Sequence, residues 1–311
     1  MAKQIILQDV FSMIIEDFRE NERWGSAHIY QSALNAFMAF SGNPKFKLKD
    51  LSPVVLKQFE QYLRQRNCSW NTVATYMRSL RSAYNRCVDD RSVPYVPRLF
   101  GHVHTGARTN VKRALPTSDL KRLLAWIEDE GGADAEAADL KKTAVLFALM
   151  FLLRGLPFVD LAFLRKADVC GNMLVYRRRK TGRMLTVFLP PEALRLIAKI
   201  ENTDRNSPYL FPILSIWKNQ EAAYREYQSA LRLFNYKLAK LSEYLGIHSH
   251  LSTYAARHSW ATLAYHCEIH PGIISEAMGH SSIAVTETYL KPFQDERIDE
   301  ANRQIIAFVK R

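Results

Sequence analysis

Residues 253–262 read Thr-Tyr-Ala-Ala-Arg-His-Ser-Trp-Ala-Thr, a short stretch that combines a tyrosine, an arginine and a histidine. Two shorter stretches follow it, Met-Gly-His-Ser at 278–281 and Thr-Glu-Thr-Tyr-Leu at 286–290. Arginine stays charged at any working pH and binds anions, and histidine can exchange a proton near neutrality. A tyrosine hydroxyl can serve as a covalent nucleophile. The three stretches together therefore predict a mainly helical site that attacks a phosphate.

The order of these residues resembles the C-terminal motif of the tyrosine recombinases, also called the phage integrase family. That motif is His-x-x-Arg-His, then Leu-Gly-His-Ser, then a tyrosine about one short helix later. Here it is matched by Arg257-His258, by Gly279-His280 and by Tyr289, with Tyr254 in place of the first histidine. The three motifs in this order are specific for the family, whereas any one of them alone is not.

The resemblance implies which residues act on DNA. Two arginines would hold the non-bridging oxygens of a phosphodiester, and His280 would donate a further hydrogen bond to them. A hairpin lysine would protonate the departing 5′ oxygen, and the tyrosine would hold the cut strand through a 3′ phosphate. The implied catalytic residues are Arg154, Lys180, Tyr254, Arg257, His258, His280 and Tyr289. No nucleotide triphosphate or other cofactor is expected, since the energy of the broken bond is conserved in the phosphotyrosine. No metal is expected either, since no acidic metal-binding cluster is visible in the sequence and the scheme needs none.

The first arginine departs from the usual pattern. The family commonly has Gly-Leu-Arg followed by two residues and an acidic one, which would place the arginine at Pro157, before Asp160. Arg154 lies one helical turn earlier, and in this respect the chain resembles a subgroup from Bacteroides-type bacteria. Arg154 also follows an apolar run directly, so it either reaches solvent or serves an anion.

Several of these residues have a structural alternative. Tyr289 can instead pack in the core, His280 can cap the helix before it, and His258 can be a structural histidine. Asp160 can cap the next helix or hold an active-site arginine in place. With Tyr254 in place of the first histidine, the proton-handling role of that histidine is lost, passes to His258 or to water, or is met by a hydrogen bond from the phenol.

Composition restricts the class of protein. A length of 311 residues predicts about two domains, and a hydrophobic content of 48% is enough for packed cores. Lys+Arg 43 against Asp+Glu 31 gives a net charge of +12, which favours a polyanionic partner. The four cysteines lack Cys-x-x-Cys spacing, which argues against a zinc site and against a disulfide framework. Reduced thiols are typical of a cytoplasmic protein.

Hydrophobic periodicity predicts an N-terminal domain of four helices over residues 1–95. Ser52-Pro53 has the cap and first-turn residues of a helix start. The fourth helix is basic, and its Arg78 and Arg81 are expected to face DNA, although a merely solvated face remains the alternative. The resemblance implies that this bundle is the SAM-like core-binding domain of the family.

A basic linker is predicted over residues 96–116, because prolines and glycines interrupt it. Its Arg108, Lys112 and Arg113 are expected to follow a phosphate backbone.

A second, α-rich domain is predicted over residues 117–311. Two short β-rich runs flank the basic tip 179–183 and predict an antiparallel hairpin. The tip is either a solvated turn or a phosphate contact through Arg179, Lys180 and Arg183. The predicted fold class is therefore mainly α, with a small antiparallel hairpin or sheet in the catalytic domain.

The function indicated is site-specific DNA recombination, of the integrase or invertase type, by a cytoplasmic protein. The resemblance implies a homotetramer on two DNA duplexes, a monomer or dimer away from DNA, and leaves room for a DNA-bending accessory protein. No membrane association is expected, because the longest apolar run is too short to span a bilayer. Two alternatives are a helical DNA-binding protein with a degraded site and, on the Arg257-His258-Ser259 run, a histidine phosphatase.

Overall fold

The computed structural model describes residues 5–106, 113–129, 135–290 and 295–309. The chain divides into two compact units, Met1–Asn110 and Val111–Arg311, and each has an apolar core of its own. Arg108 and Lys112, both predicted to contact DNA, lie outside the described residues.

The first unit contains four helices. They are α1 (Leu7–Glu20), α2 (Trp24–Ser41), α3 (Pro53–Gln65) and α4 (Trp70–Asp89). The predicted start of α3 is confirmed, since the Ser52 hydroxyl accepts a hydrogen bond from the Val55 amide and Pro53 is the first helical residue. Each helix turns an apolar face inward, and Phe11, Phe37 and Phe59 are fully buried between them.

The beginning of the predicted linker packs on this bundle. Leu99 and Val103 are buried in the core of the first unit, and the Tyr84 hydroxyl accepts from the Val96 amide at 2.9 Å. The buried Glu60 carboxylate accepts from the His104 amide at 2.6 Å. The first compact unit therefore extends past residue 95, because these apolar and polar contacts hold the segment after α4.

The second unit has nine helices and three strands among its described residues. They are α5 (Thr117–Glu128), α6 (Ala135–Leu152), α7 (Phe158–Phe163), β1 (Val169–Cys170), β2 (Met173–Arg177), β3 (Met184–Phe188), α8 (Pro191–Ile200), α9 (Gln220–Tyr244), α10 (Thr253–His266), α11 (Pro271–Ala277), α12 (Ile283–Glu287) and α13 (Asp295–Val309). The apolar α6 lies at the centre, packed by α5, α8, α9 and α10.

The small sheet has the strand order β1-β2-β3, and both pairs are antiparallel. Met173 pairs with Phe188 and Arg177 with Met184, so the hairpin turn falls at residues 178–183. Leu174 and Tyr176 are buried on one face of β2. Because strand side chains alternate, this register also directs residue 178 to the buried face.

The predicted fold class, mainly α with a small antiparallel sheet, is confirmed. Two details differ from the sequence-based expectation. A third, two-residue strand pairs with the hairpin, and α12 ends at Glu287, so that Tyr289 lies in a turn after the helix rather than on it. In the part of the chain that the structure describes, every helix is too short or too polar to cross a lipid bilayer.

Candidate active site

A left-handed turn at the end of α6 forms one wall of the site. Arg154 and Gly155 have φ values of 60° and 68°, and the Leu156 amide closes the turn on the Met150 carbonyl at 2.8 Å. A Cβ atom at position 155 would lie 3.0 Å from the Arg257 Cα atom. Glycine is therefore required both by the backbone conformation and by the close approach of α10.

Arg257 is the most heavily bonded side chain in the site, and it is 4% exposed. Its guanidinium donates to the Gly155 carbonyl at 2.7 Å, to the Met278 carbonyl at 2.8 Å and to His280 Nε2 at 2.7 Å. Burial and then the neighbouring Arg178 lower the pKa of Arg257, which still remains charged because its ordinary pKa is so high. The nearby Tyr289 phenol acts to raise the pKa of Arg257.

A second buried guanidinium lies beside it, one that the sequence pattern does not assign to the site. Arg178 follows β2 directly and is 5% exposed. It donates to the same Met278 carbonyl as Arg257, and to the Gly279 carbonyl at 3.3 Å. Gly279 makes this approach possible, because a Cβ atom there would lie 3.3 Å from Arg178 Nη1 and 3.0 Å from Leu185 Cδ1.

The Asp160 carboxylate holds Arg178 in this place. It is fully buried and accepts from Arg178 Nε at 2.9 Å and from the Arg179 amide at 2.9 Å. Of the two roles considered for Asp160, holding an arginine is the one that the contacts favour. Burial raises the pKa of Asp160, while these two hydrogen-bond donors act in the opposite direction.

Arg154 is directed elsewhere. Its guanidinium donates to the Thr186 carbonyl of β3 at 3.3 Å, and it is absent from the described residues that line the cleft. The left-handed conformation at 154 fits this placement, since α6 ends at Leu152 and the chain leaves the helical path there. The structure therefore brings Arg178, and not Arg154, next to Arg257.

The hairpin tip brings a third cation to the site. Lys180 lines the same cleft as Arg257 and Arg178, and its charge contributes to the low pKa of His280. The Arg183 guanidinium donates to the His280 carbonyl at 3.2 Å, which ties the tip to the loop after α11. Arg179 points away from this contact, with its guanidinium 3.8 Å from the centre of the Phe163 ring.

Tyr289 reaches the same cleft and is half-buried. Its ring centre lies 4.5 Å from that of His258 and 5.1 Å from that of His280, and 5.6 Å from the Arg257 guanidinium carbon. The Tyr289 carbonyl accepts from the Thr262 hydroxyl at 3.1 Å and from His258 Nδ1 at 3.3 Å. His258 therefore contacts the backbone of the tyrosine turn.

Tyr254 lies at the mouth of the cleft and is 54% exposed. The Arg113 guanidinium is 5.8 Å from the centre of its ring, and the ring of His258 is 6.5 Å away. The phenol is thus open to a ligand entering the cleft, whereas Arg257, one helical turn on, forms its floor.

The cleft has a volume of about 590 Å³ and a strong excess of positive charge. Among the described lining residues are four cationic side chains and no carboxylate, and the one carboxylate behind them, Asp160, is already paired with Arg178. Buried positive charges are costly unless they are paired or hydrogen-bonded, so a bound anion would stabilise this site. No group of three or more possible metal ligands occurs in the described ranges.

The DNA-facing residues predicted in the first unit are accessible. Arg78 and Arg81 are exposed on α4, while Met77, Leu80 and Ala83 are buried on its other side. The Arg78 guanidinium donates to the Thr75 hydroxyl at 3.3 Å.

Comparison with protein-family models gives two matches that together cover most of the chain. Residues 6–98 match the phage integrase SAM-like domain, and residues 113–296 match the phage integrase family. A search of curated proteins found no match.

Three solved structures with a similar fold are complexes with DNA. The Tn1549 transposon integrase bound to a circular intermediate DNA is 15% identical, with a TM-score of 0.61 over 96% of this chain and 99% of that chain. The lambda integrase tetramer bound to a Holliday junction is 14% identical, with a TM-score of 0.63 over 93% and 78% of the two chains. A lambda integrase dimer bound to a COC′ core site is 12% identical, with a TM-score of 0.62 and the same coverage.

Proposed function

The chain belongs to the phage integrase family of site-specific tyrosine recombinases, and we propose that it cuts and rejoins DNA through a phosphate bound to Tyr289. The observation that carries this proposal is a pair of buried guanidiniums, Arg257 and Arg178, that share the Met278 carbonyl beside the Tyr289 phenol. The pair has one compensating carboxylate, so it keeps a net positive charge that an anionic phosphate would balance.

Attack on a phosphodiester places extra negative charge on the two non-bridging oxygens. Positioned cations stabilise that charge best when they are fixed in place before the reaction begins. Arg257 and Arg178 are fixed in this way by carbonyls and by Asp160, and a guanidinium can bind phosphate oxygens through two donors. Arg178 then takes the role that the sequence pattern would give to Arg154.

The bonds change in two steps. The Tyr289 oxygen forms a bond to phosphorus while the bond from phosphorus to the 5′ oxygen breaks, and the phenol proton leaves to solvent. Lys180, at the hairpin tip, donates a proton to the departing 5′ oxygen as a general acid. In the second step a 5′ hydroxyl attacks the phosphotyrosine and reverses the process. Bond energy is kept throughout, so rejoining needs no nucleotide triphosphate, and in this scheme the guanidiniums supply the positive charge that a metal ion would otherwise supply.

The partners follow from the same premise. Double-stranded DNA would contact Arg78 and Arg81 from the first unit, and Arg113, Arg179 and Arg183 from the second. The working assembly would be four protomers on two duplexes, as the lambda integrase complex with a Holliday junction is a tetramer. In this proposal the domain before the linker binds the core DNA site, and the domain from residue 117 carries out catalysis. The protein would act in the cytoplasm and could use a DNA-bending partner.

A covalent adduct tests this function. The purified protein is incubated with a nicked duplex that carries its binding site, found by selection from random duplexes, in EDTA and without nucleotide. We expect a protein–DNA species that survives boiling in detergent and that carries the 3′ side of the cut strand. Specific binding without any adduct would instead support the alternative of a helical DNA-binding protein that does not cut.

A further inference from the structure

The segment that leads into α5 is bound to the helix that carries Arg257. The backbone amide of Leu115 donates to the Ser259 hydroxyl of α10 at 2.8 Å. An amide can only donate, so the hydroxyl is the acceptor. Ser259 is fully buried, and Leu115 is buried in the large core of the second unit. Without the Ser259 hydroxyl, this buried amide would lose the partner that compensates its removal from water.

Arg113 lies two residues before this hydrogen bond and is exposed at the mouth of the active-site cleft. Its guanidinium carbon is 5.8 Å from the centre of the Tyr254 ring, in the first turn of α10. Ala114 is buried as well, so the backbone on the C-terminal side of Arg113 is held by two successive residues. The side chain is therefore presented to the cleft from a fixed base.

The charge of Arg113 is not compensated within the part of the chain that the structure describes. There, no carboxylate forms an ion pair with Arg113, and none lines the cleft. Arginine stays charged at any working pH and can offer parallel donors to a phosphate. A DNA phosphate that enters the cleft mouth is thus the anion that this guanidinium fits.

Two cations of the cleft are carried by the same rigid helix. Arg257 reaches the cleft floor directly from α10, and Ser259, two residues further along that helix, holds the segment of Arg113. The distance between the two guanidiniums is therefore restricted by the bond from Leu115 to Ser259. Contacts to backbone phosphates fix the register of a protein on DNA, and a pair of contacts at a set spacing fixes it more closely than one.

We propose, on the basis of the proposed function, that Ser259 is a positioning residue that holds Arg113 where its guanidinium binds a second backbone phosphate of the DNA. The scissile phosphate lies on Arg257 and Arg178 at the cleft floor, and the second phosphate lies at the cleft mouth. A strand bound at both points has one position along the cleft, which presents the scissile phosphate to Tyr289. Arg113 then belongs to the cleft itself and not only to the path of the linker.

The phosphate contact of Arg113 is measured as the salt dependence of DNA binding, on a duplex that carries the selected site. Each phosphate that a cation neutralises contributes about 0.9 to the slope of log affinity against log salt concentration. Arg113→Gln should lower this slope by about that amount and weaken binding about three- to tenfold. Arg195→Gln is the control, an exposed arginine of α8 outside the described cleft lining, and should change neither. An unchanged slope in Arg113→Gln would overturn the proposal.

A double-mutant cycle tests whether Ser259 acts through Arg113. Ser259→Ala alone should lower the salt slope as Arg113→Gln does, and in the Arg113→Gln background it should weaken binding by less than about twofold. Adduct formation by Ser259→Ala should need more DNA for its half-maximal rate, with a smaller change in the rate at saturation. An unchanged slope in Ser259→Ala, or losses of affinity that add in the double variant, would overturn the positioning role.

Hydrogen exchange of the unsubstituted protein tests the anchor even if Ser259→Ala fails to fold. The Leu115 amide should be protected to the same extent as amides in the middle of α10. Exchange of this amide at the rate of an open chain would overturn the proposal. If the unsubstituted protein bound its site and formed no adduct, the proposed function would fail, whereas the salt slope of Arg113→Gln would still decide the second phosphate contact.

Discussion

Arg178→Lys should slow formation of the covalent adduct about 100-fold or more, whereas the matched Arg154→Lys should stay within about threefold. Lysine keeps the positive charge but cannot present two parallel donors to a phosphate. Only Arg178 is buried beside Arg257 and shares the Met278 carbonyl with it, while Arg154 donates to the Thr186 carbonyl outside the cleft. The rates are measured in single turnover at saturating DNA, so that affinity does not enter.

Lysine is chosen because Arg178→Ala would leave the Asp160 carboxylate buried without its ion pair, and removing one partner of such a pair is strongly destabilising. Thermal unfolding of both lysine variants checks that the fold is intact. If Arg154→Lys were the slow variant and Arg178→Lys were normal, Arg154 would be the first catalytic arginine, as the sequence pattern predicts. The ion pair of Arg178 with Asp160 would then have only a structural role.

Tyr289→Phe should abolish the adduct completely and leave specific DNA binding within about threefold. The substitution removes only the hydroxyl oxygen, so the contacts of the ring with His258 and His280 and the hydrogen bonds to the Tyr289 carbonyl are kept. The measurement is a denaturing gel of labelled nicked DNA, read beside a binding assay on the same duplex.

Tyr254→Phe is the matched control for that experiment. Like Tyr289, Tyr254 lines the cleft, and its side chain is exposed at the cleft mouth. We expect Tyr254→Phe to form the adduct at a reduced rate. An adduct that survives in Tyr289→Phe but disappears in Tyr254→Phe would move the nucleophile to the cleft mouth.

Much of this site could be predicted from local sequence. The helix bounds follow apolar spacing and end residues such as Ser52 and Pro53, which act within one turn. Arg257, His280 and Tyr289 fall within 33 residues of one another, and Lys180 is the tip of a hairpin that its own sequence predicts. The structure brings all four to one cleft.

The arginine pair was not predictable in the same way. Arg178 lies within a run of four basic residues, which by itself indicates a solvated turn. The available signal was the alternation of side chains along β2. Residue 178 continues the series 174 and 176, whose side chains are buried on one face of the strand. Its partners, the Met278 carbonyl and Asp160, come from distant parts of the chain, and local sequence patterns do not report such contacts.

The Arg154 assignment illustrates the opposite case. The family resemblance assigned this arginine to the site, and its position after an apolar run left open whether it reaches solvent or serves an anion. The backbone is left-handed at that residue, and the guanidinium donates to the Thr186 carbonyl of β3. The contact between His280 and Arg257 also depended on tertiary structure, because the two residues lie on different elements of the chain.

The most direct test is a crystal structure of the Tyr289→Phe variant bound to an uncut duplex that carries its site, in which the scissile phosphate is visible. Guanidinium nitrogens of both Arg178 and Arg257 should lie about 3 Å from its non-bridging oxygens. The edge of the substituted ring at position 289 should be directed at phosphorus, opposite the 5′ oxygen. A phosphate contacted by Arg154, with Arg178 bound only to Asp160 and the Met278 carbonyl, would contradict the assignment of the arginine pair.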